Sequence, residues 1–192
     1  MRIKSAIIVF LLLIGAQVNA ATLSDSIWYF LHGHISESTG NHAEALEYYT
    51  KALKQDNSSS EIRTSLASLY AKKGDFAKAE ELLNQALAIN PDNRTALMFM
   101  AGVQASKGLT YKAKAAYEKC IELNPEDTEA YMYLGSIYIG ERQYSAAISI
   151  YEKILAYDED NVIALYYIGR LYGEIKDYTK SKRYLAKALE FK

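Results

Sequence analysis

Three histidines and one cysteine are the residues of this 192-residue chain with the clearest chemical potential. His32 and His34 are two positions apart, so on a helix their side chains diverge by about 200° and cannot bind one metal ion together. Neither they nor His42 have a cysteine or carboxylate beside them at metal-ligand spacing. Because Cys120 is a single cysteine, it cannot form an intramolecular disulfide, and a small buried residue is favoured there over a nucleophile.

Other catalytic signatures are also missing from the sequence. It contains no glycine-rich phosphate loop, no serine elbow and no paired-carboxylate motif. We therefore expect no catalytic residues, no metal and no cofactor, and we predict that the protein is not an enzyme.

The strongest pattern is a 34-residue internal period of small residues. One set is Gly33, Ala67, Ala101, Gly135 and Gly169, and the set twelve residues later is Ala45, Ala79, Ala113, Ala147 and Ser181. A period of this length predicts tandem antiparallel helix pairs, in which the small residues allow two helices to approach closely. The resulting units are 26–59, 60–93, 94–127, 128–161 and an incomplete 162–192. Positions are counted below from the first residue of each unit.

Glycine and proline mark the expected helix ends. Gly74 and Gly108 lie in the turn within a unit, where glycine can adopt the left-handed conformation that ends a helix. Pro91 and Pro125 share one position between units, where proline stops one helix and prepares the next. The sequence therefore predicts two helices in each unit, with short turns between them.

These residues resemble the tetratricopeptide repeat family. Unit four carries the family's pattern of large and small residues at Tyr131, Leu134, Gly135, Tyr138, Ala147 and Tyr151. The resemblance covers residues 26–192 and implies an all-α, right-handed superhelical solenoid of antiparallel helix pairs. It also implies a general peptide-binding scaffold of the kind found in chaperone adaptors and in secretion and envelope machinery.

The first twenty residues differ from the rest. They begin with the basic residues Arg2 and Lys4, continue with an apolar stretch over 6–14 and end with small residues at 18–20. This pattern predicts a cleavable signal peptide over 1–20, with the repeat domain over 21–192. The stretch is shorter than the roughly 20 residues that span a bilayer. We expect export to the bacterial periplasm and no membrane span after cleavage. Secretion, the endoplasmic reticulum lumen and tethering by an uncleaved signal are the alternatives.

Charge argues against nucleic acid as a partner. The whole chain has 22 basic and 23 acidic residues. Removing Arg2 and Lys4 leaves 20 basic residues against 23 acidic ones, a net charge of −3. Nucleic-acid-binding domains are usually basic. We expect a protein or peptide ligand instead.

The candidate binding surface lies on the first helices of units three to five. If positions 4, 7, 8 and 11 face the partner helix, positions 2, 5, 6, 9 and 12 line the opposite stripe, which forms a concave groove in a stacked array. Large apolar and tyrosine side chains occupy this stripe, and such patches usually mark recognition surfaces. The candidate groove consists of Met98, Phe99, Met132, Tyr133, Ser136, Ile139, Tyr166, Tyr167 and Arg170. Family members with a carboxylate clamp have lysine at position 5 and asparagine at positions 6 and 9. These residues are absent here, which favours a segment with apolar anchors.

A second candidate surface is the outer side of the last helix. The candidate end interface consists of Tyr184, Leu185, Leu189 and Phe191. A second copy, another subunit or a further part of a longer array could each cover it. The sequence therefore favours a non-catalytic exported adaptor that binds a peptide segment in its groove, for envelope or secretion assembly. The alternative is a structural subunit that self-associates or docks through its last repeat.

Overall fold

The structure, a computed structural model, describes residues 25–191. The predicted signal peptide over 1–20 lies outside the described residues. Within them, no helix combines the length and the hydropathy needed to cross a bilayer.

Ten α-helices form residues 25–191, and every connection between them is short. In chain order they are α1 (Asp25–Ser38), α2 (His42–Gln55), α3 (Ser60–Lys72), α4 (Phe76–Ile89), α5 (Arg94–Ser106), α6 (Thr110–Leu123), α7 (Thr128–Gly140), α8 (Tyr144–Leu155), α9 (Val162–Glu174) and α10 (Tyr178–Glu190). Odd-numbered helices are the first helices of the units, and even-numbered helices are the second.

Side-chain caps begin most of these helices. Each capping oxygen accepts a hydrogen bond from the backbone N–H three residues later, which satisfies one of the donors left free at a helix start. These residues are Asn41, Ser59, Asp75, Asn93, Asp127, Asn161 and Asp177. α6 and α8 start without such a bond.

The turn inside each unit has one left-handed residue, always at position 15. Gly74 and Gly108 adopt it as predicted, with φ of 81° and 75°. Arg142 and Lys176 adopt it as well, with φ of 59° and 64°. A side chain makes this conformation costly, so the last two units keep the turn against the preference of their residues.

The small residues of the period lie where the two helices of a unit meet. A Cβ atom built on Gly135 would lie 2.5 Å from the ring of Tyr151, and one built on Gly33 would lie 2.5 Å from the ring of Tyr49. Both tyrosines are buried. The small residues thus lie where the two helices of a unit approach closely, as predicted, and at these positions each faces a large ring.

The described chain divides into two compact parts, residues 25–58 and residues 59–191, and each is described by itself. In the first, α1 packs on α2, and the hydroxyl of Ser26 donates a hydrogen bond to the carbonyl oxygen of Ala52 at 3.1 Å. In the second, each helix from α3 to α10 packs on its chain neighbours, and α3 also contacts α5.

Joints between repeats build the core of residues 59–191. One buried cluster joins α7 and α8 to α9 and contains Ala164, Ile168 and Leu171 together with Tyr151 and Ile154. These three α9 residues are positions 3, 7 and 10 of their unit. In α7, position 3 is Ala130, which shares a buried cluster with Cys120, and position 7 is Leu134, which shares one with Tyr117. Positions 3, 7 and 10 of a first helix thus attach it to the preceding second helix.

Candidate peptide-binding groove

The nine residues of the candidate groove lie on α5, α7 and α9, at helical spacing. Five of them are exposed to solvent: Phe99, Tyr133, Ser136, Tyr166 and Arg170. The other four are half-buried: Met98, Met132, Ile139 and Tyr167. All nine keep some solvent access, which a binding surface requires.

The half-buried members also hold the repeats together. Met98 packs against the cluster formed by Leu97, Cys120 and Ala130. Met132, Ile139 and Tyr167 pack against the cluster that joins α7, α8 and α9. These side chains therefore form the floor of the surface, and the exposed aromatic rings stand above it.

Tyrosine stacking orients two of the groove rings. Tyr133 stacks on Tyr117 with ring centroids 5.5 Å apart and planes 10° apart. One repeat further along, Tyr167 stacks in the same way on Tyr151 of the preceding second helix, at 5.3 Å and 25°. These two groove tyrosines thus each have one ring face fixed by the preceding second helix. Because these rings lose little freedom on binding, the entropic cost of a contact with them is low.

A cation lies over the ring of the third tyrosine. The guanidinium carbon of Arg170 is 5.7 Å from the ring centroid of Tyr166, and Tyr167 meets the same ring edge-on. Arginine can donate hydrogen bonds from its outer edge to carbonyl or carboxylate oxygens while its flat face rests on an aromatic ring. This corner can therefore hold an apolar group and an oxygen of the same ligand.

A cavity of about 150 Å³ opens beside this corner. Its lining includes Ile139, Tyr167 and Arg170 from the candidate groove, together with Tyr144, Leu171 and Glu174. Cavities of about this size hold a ring as large as benzene. Sequence reasoning missed Glu174 and Tyr144, although Glu174 follows Arg170 by four residues, the spacing of neighbours on one helix face.

An ion-pair network fixes α5 to α7 at the edge of the groove. Arg94 donates to Asp127 Oδ1 at 2.7 Å and to Glu129 Oε2 at 2.9 Å. Burial alone would raise the pKa of the Asp127 carboxyl, but hydrogen bonds from Arg94 and from the Ala130 N–H hold this pKa below its usual value. Asp127 therefore stays ionised, caps α7 and positions the groove residues that follow on that helix.

The four residues of the candidate end interface have different surroundings in the structure. Leu185 and Leu189, with Val162, Tyr166 and Ala188, line an open apolar cavity of about 460 Å³. Phe191 is exposed. Tyr184 differs from the expectation, because its ring stacks on Tyr172 at 5.6 Å and packs against the joint between α8 and α9. At position 23 the half-buried side chain thus stacks on the first helix of its own repeat.

The residues with chemical potential lie in packed surroundings. Cys120 is buried, its thiol lies 3.8 Å from the carbonyl oxygen of Arg94, and burial raises the pKa of this thiol to about 11. The thiol is therefore protonated at neutral pH and a poor nucleophile. His32 lies against Trp28, and His34 lies against Phe30. Within residues 25–191, no three His, Cys, Asp or Glu side chains come together in a possible metal site.

Comparison with solved structures gives matches over most of the chain. MamA is 25% identical and covers 83% of this chain and 93% of its own, with a TM-score of 0.74. YrrB, described as a TPR protein with an unusual peptide-binding site, is 24% identical over 88% of this chain and 87% of its own, with a TM-score of 0.68. PilF of Pseudomonas aeruginosa is 20% identical over 88% and 77%, with a TM-score of 0.77. Likenesses at these identities establish the fold.

Sequence comparison identifies the repeats directly. Models of the tetratricopeptide repeat match residues 38–103, 95–127, 116–149 and 137–191. None of the curated protein sequences matches the chain significantly. The all-α solenoid of antiparallel helix pairs predicted from the sequence is confirmed by these matches and by the helices themselves. The chain belongs to the tetratricopeptide repeat family.

Proposed function

We propose that this protein is a non-catalytic exported adaptor, which holds a segment of another envelope or secretory protein in the candidate groove, most simply in the bacterial periplasm. Three exposed aromatic side chains on consecutive first helices carry the proposal, namely Phe99, Tyr133 and Tyr166. Solvent-facing helix surfaces are usually charged or polar, whereas rows of exposed aromatic groups are typical of recognition surfaces.

The groove also has the mixture of groups that peptide recognition requires. The 150 Å³ cavity offers a place for one apolar side chain of the segment, and Arg170 at its edge offers donors for a backbone carbonyl or a carboxylate. Met98 and Met132 on the floor are flexible, which suits side chains of varied shape. The peptide-binding site named for YrrB supports the same use of this fold.

Export rests on the first twenty residues alone. Their basic start, apolar stretch and small-residue end are the basis for expecting the protein outside the cytoplasm. Sequencing the N-terminus of the protein purified from its native host tests this part separately. A first residue of Ala21 would support cleavage, and a chain that retains residues 1–20 would contradict it.

Site-specific photo-crosslinking in the native host tests the groove. A photoreactive amino acid replaces Tyr166 in one strain and Tyr111 in the other. Tyr111 is a matched control because it is also an exposed tyrosine but lies on a second helix, outside the groove. We expect one dominant adduct between position 166 and a different protein, and none from position 111. An adduct only to a second copy of this chain would contradict the proposal. Equal adducts from both positions, or none from position 166, would contradict the proposal.

A further inference from the structure

The joining face of a first helix reappears on α1 with large apolar residues. In α7 and α9, positions 3, 7 and 10 attach the helix to the preceding repeat and are mostly buried. In α1 these positions are Trp28, His32 and Ile35, with Leu31 beside them at position 6. Trp28 is 42% exposed, Leu31 49% and Ile35 58%. These four residues are called the α1 joining face below.

The surface that receives a joining face is also open at one place in the structure. Leu185 and Ala188 on α10 correspond to Tyr151 and Ile154 on α8, which α9 covers. On α10, nothing within the described residues covers Leu189, which is 69% exposed. The cavity of about 460 Å³ between α9 and α10 is almost entirely apolar. It is called the α9/α10 groove below.

The two surfaces match in size. Position 3 of a joining face belongs to the same buried cluster as position 27 of the receiving helix, as Ala130 does with Cys120 and Ala164 with Ile154. In the open pair, the large Trp28 stands at position 3 and the small Ala188 at position 27. Position 6 meets position 24, as Tyr167 meets Tyr151, and the corresponding residues are Leu31 and Leu185. Trp28 and Ala188 therefore pair a large residue with a small one, and Leu31 and Leu185 pair two leucines.

The two surfaces are also complementary in charge. α1 has two acidic residues, Asp25 and Glu37, and no lysine or arginine. Lys51 of α2, which lies over the rings of Tyr29 and Tyr48, is paired with Glu47. α10 carries four basic residues: Lys180, Lys182, Arg183 and Lys187. Opposite charges around an apolar contact favour encounter and disfavour association of like ends. Two copies of the α10 surface would repel each other, whereas α1 and α10 attract.

We propose that the α1 joining face of a second copy of this chain occupies the α9/α10 groove, so that copies associate head to tail through the same contacts that join repeats within one chain. The interface is heterologous, because each copy offers a different surface to each neighbour. Each added copy leaves a new groove at one end, so association continues with concentration until a ring closes.

Sedimentation velocity of the protein purified from its native host, over a range of concentrations, tests this proposal. We compare the unaltered protein with Leu31→Asp on the joining face, Leu189→Asp in the groove and Tyr111→Asp as a control. All three altered side chains are at least 49% exposed, and circular dichroism checks that helix content is retained. We expect the unaltered protein and Tyr111→Asp to increase in mass with concentration, and each of the other two variants to remain a monomer.

Mixing the two monomeric variants identifies the direction of the contact. Leu31→Asp retains a normal groove and Leu189→Asp a normal joining face, so an equimolar mixture should form a one-to-one dimer that does not grow further. Loss of association in Leu189→Asp alone would show a groove-to-groove contact and overturn the proposal. An unaltered protein that is still monomeric at about 1 mM would also overturn it.

Discussion

Arg142 and Lys176 allow a quantitative test of how the turns are built. Both residues have the left-handed backbone that glycine has at the same position of three other units. A non-glycine residue in this conformation costs about 1–2 kcal/mol, while glycine loses about 0.4–1 kcal/mol more entropy on folding. Arg142→Gly and Lys176→Gly should therefore each increase the free energy of unfolding by about 0.5–1 kcal/mol. The double variant should gain about the sum, since the two turns lie in different units.

Urea and thermal unfolding followed by circular dichroism measure this gain. For a chain of this length, 1 kcal/mol corresponds to an increase in melting temperature of about 2–4 °C. Lys73→Gly is the control, because Lys73 is exposed and has a φ of −81°, and glycine should destabilise the protein there. Gly74→Arg is the converse change, since a Cβ atom on Gly74 would meet nothing within 4 Å and only the backbone would be strained. If Arg142→Gly were as destabilising as Lys73→Gly, the argument from backbone conformation would fail.

The remaining predictions concern one buried aspartate and two buried tyrosines, and how the stability of the protein depends on pH through them. Asp127→Ala removes the cap of α7 and the partner of Arg94, so we expect a loss of about 2–3 kcal/mol in urea unfolding, whereas Asp127→Asn retains the cap and loses less. The pKa of Asp127 is lowered in the folded protein, so its contribution is present above an unfolded-state pKa of about 3.9 and is lost as pH falls through the folded-state pKa. Acid unfolding of Asp127→Asn should therefore depend less on pH. An equal dependence in both proteins would refute the assignment. Burial raises the pKa values of Tyr117 and Tyr151 to about 12, so their contribution to stability is complete below pH 10 and is lost as pH rises towards 12. Tyrosinate absorbance should show these two ionising together with unfolding in this range, and the Tyr117→Phe, Tyr151→Phe double variant should unfold at a higher pH; an unchanged midpoint would contradict the prediction.

Local patterns predicted the helices and much of their packing. The 34-residue spacing of small residues located both helices of each unit, because close packing of two helices requires a small residue at the contact. Gly74 and Gly108 predicted the left-handed turns, because glycine adopts a positive φ without steric cost. Arg142 and Lys176 could not be recognised in this way, since nothing in their chemistry favours the conformation that the surrounding turn imposes on them.

Contacts between repeats were harder to predict. Helical periodicity shows which side of its own helix a residue occupies, but not how far the neighbouring helix covers that side. Tyr133 and Tyr167 were therefore expected simply to face the groove, while the structure also stacks each of them on a tyrosine of the preceding repeat. Tyr184 was expected on the open end and instead faces Tyr172. The position of one repeat on the next, which the sequence pattern does not specify, decides the contacts of Tyr133 and Tyr167. Tyr184 and Tyr172 instead pair across the two helices of one repeat.

Binding of the crosslinked segment to purified protein tests the proposed function most directly. Once the adduct at position 166 identifies the segment, a synthetic peptide of that sequence can be titrated into the unaltered protein, Tyr166→Asp and Tyr111→Asp by calorimetry. We predict that Tyr166→Asp raises the Kd at least tenfold, about 1.4 kcal/mol, and that Tyr111→Asp leaves it unchanged. Equal Kd values for all three proteins would contradict the assignment of the groove as the binding site.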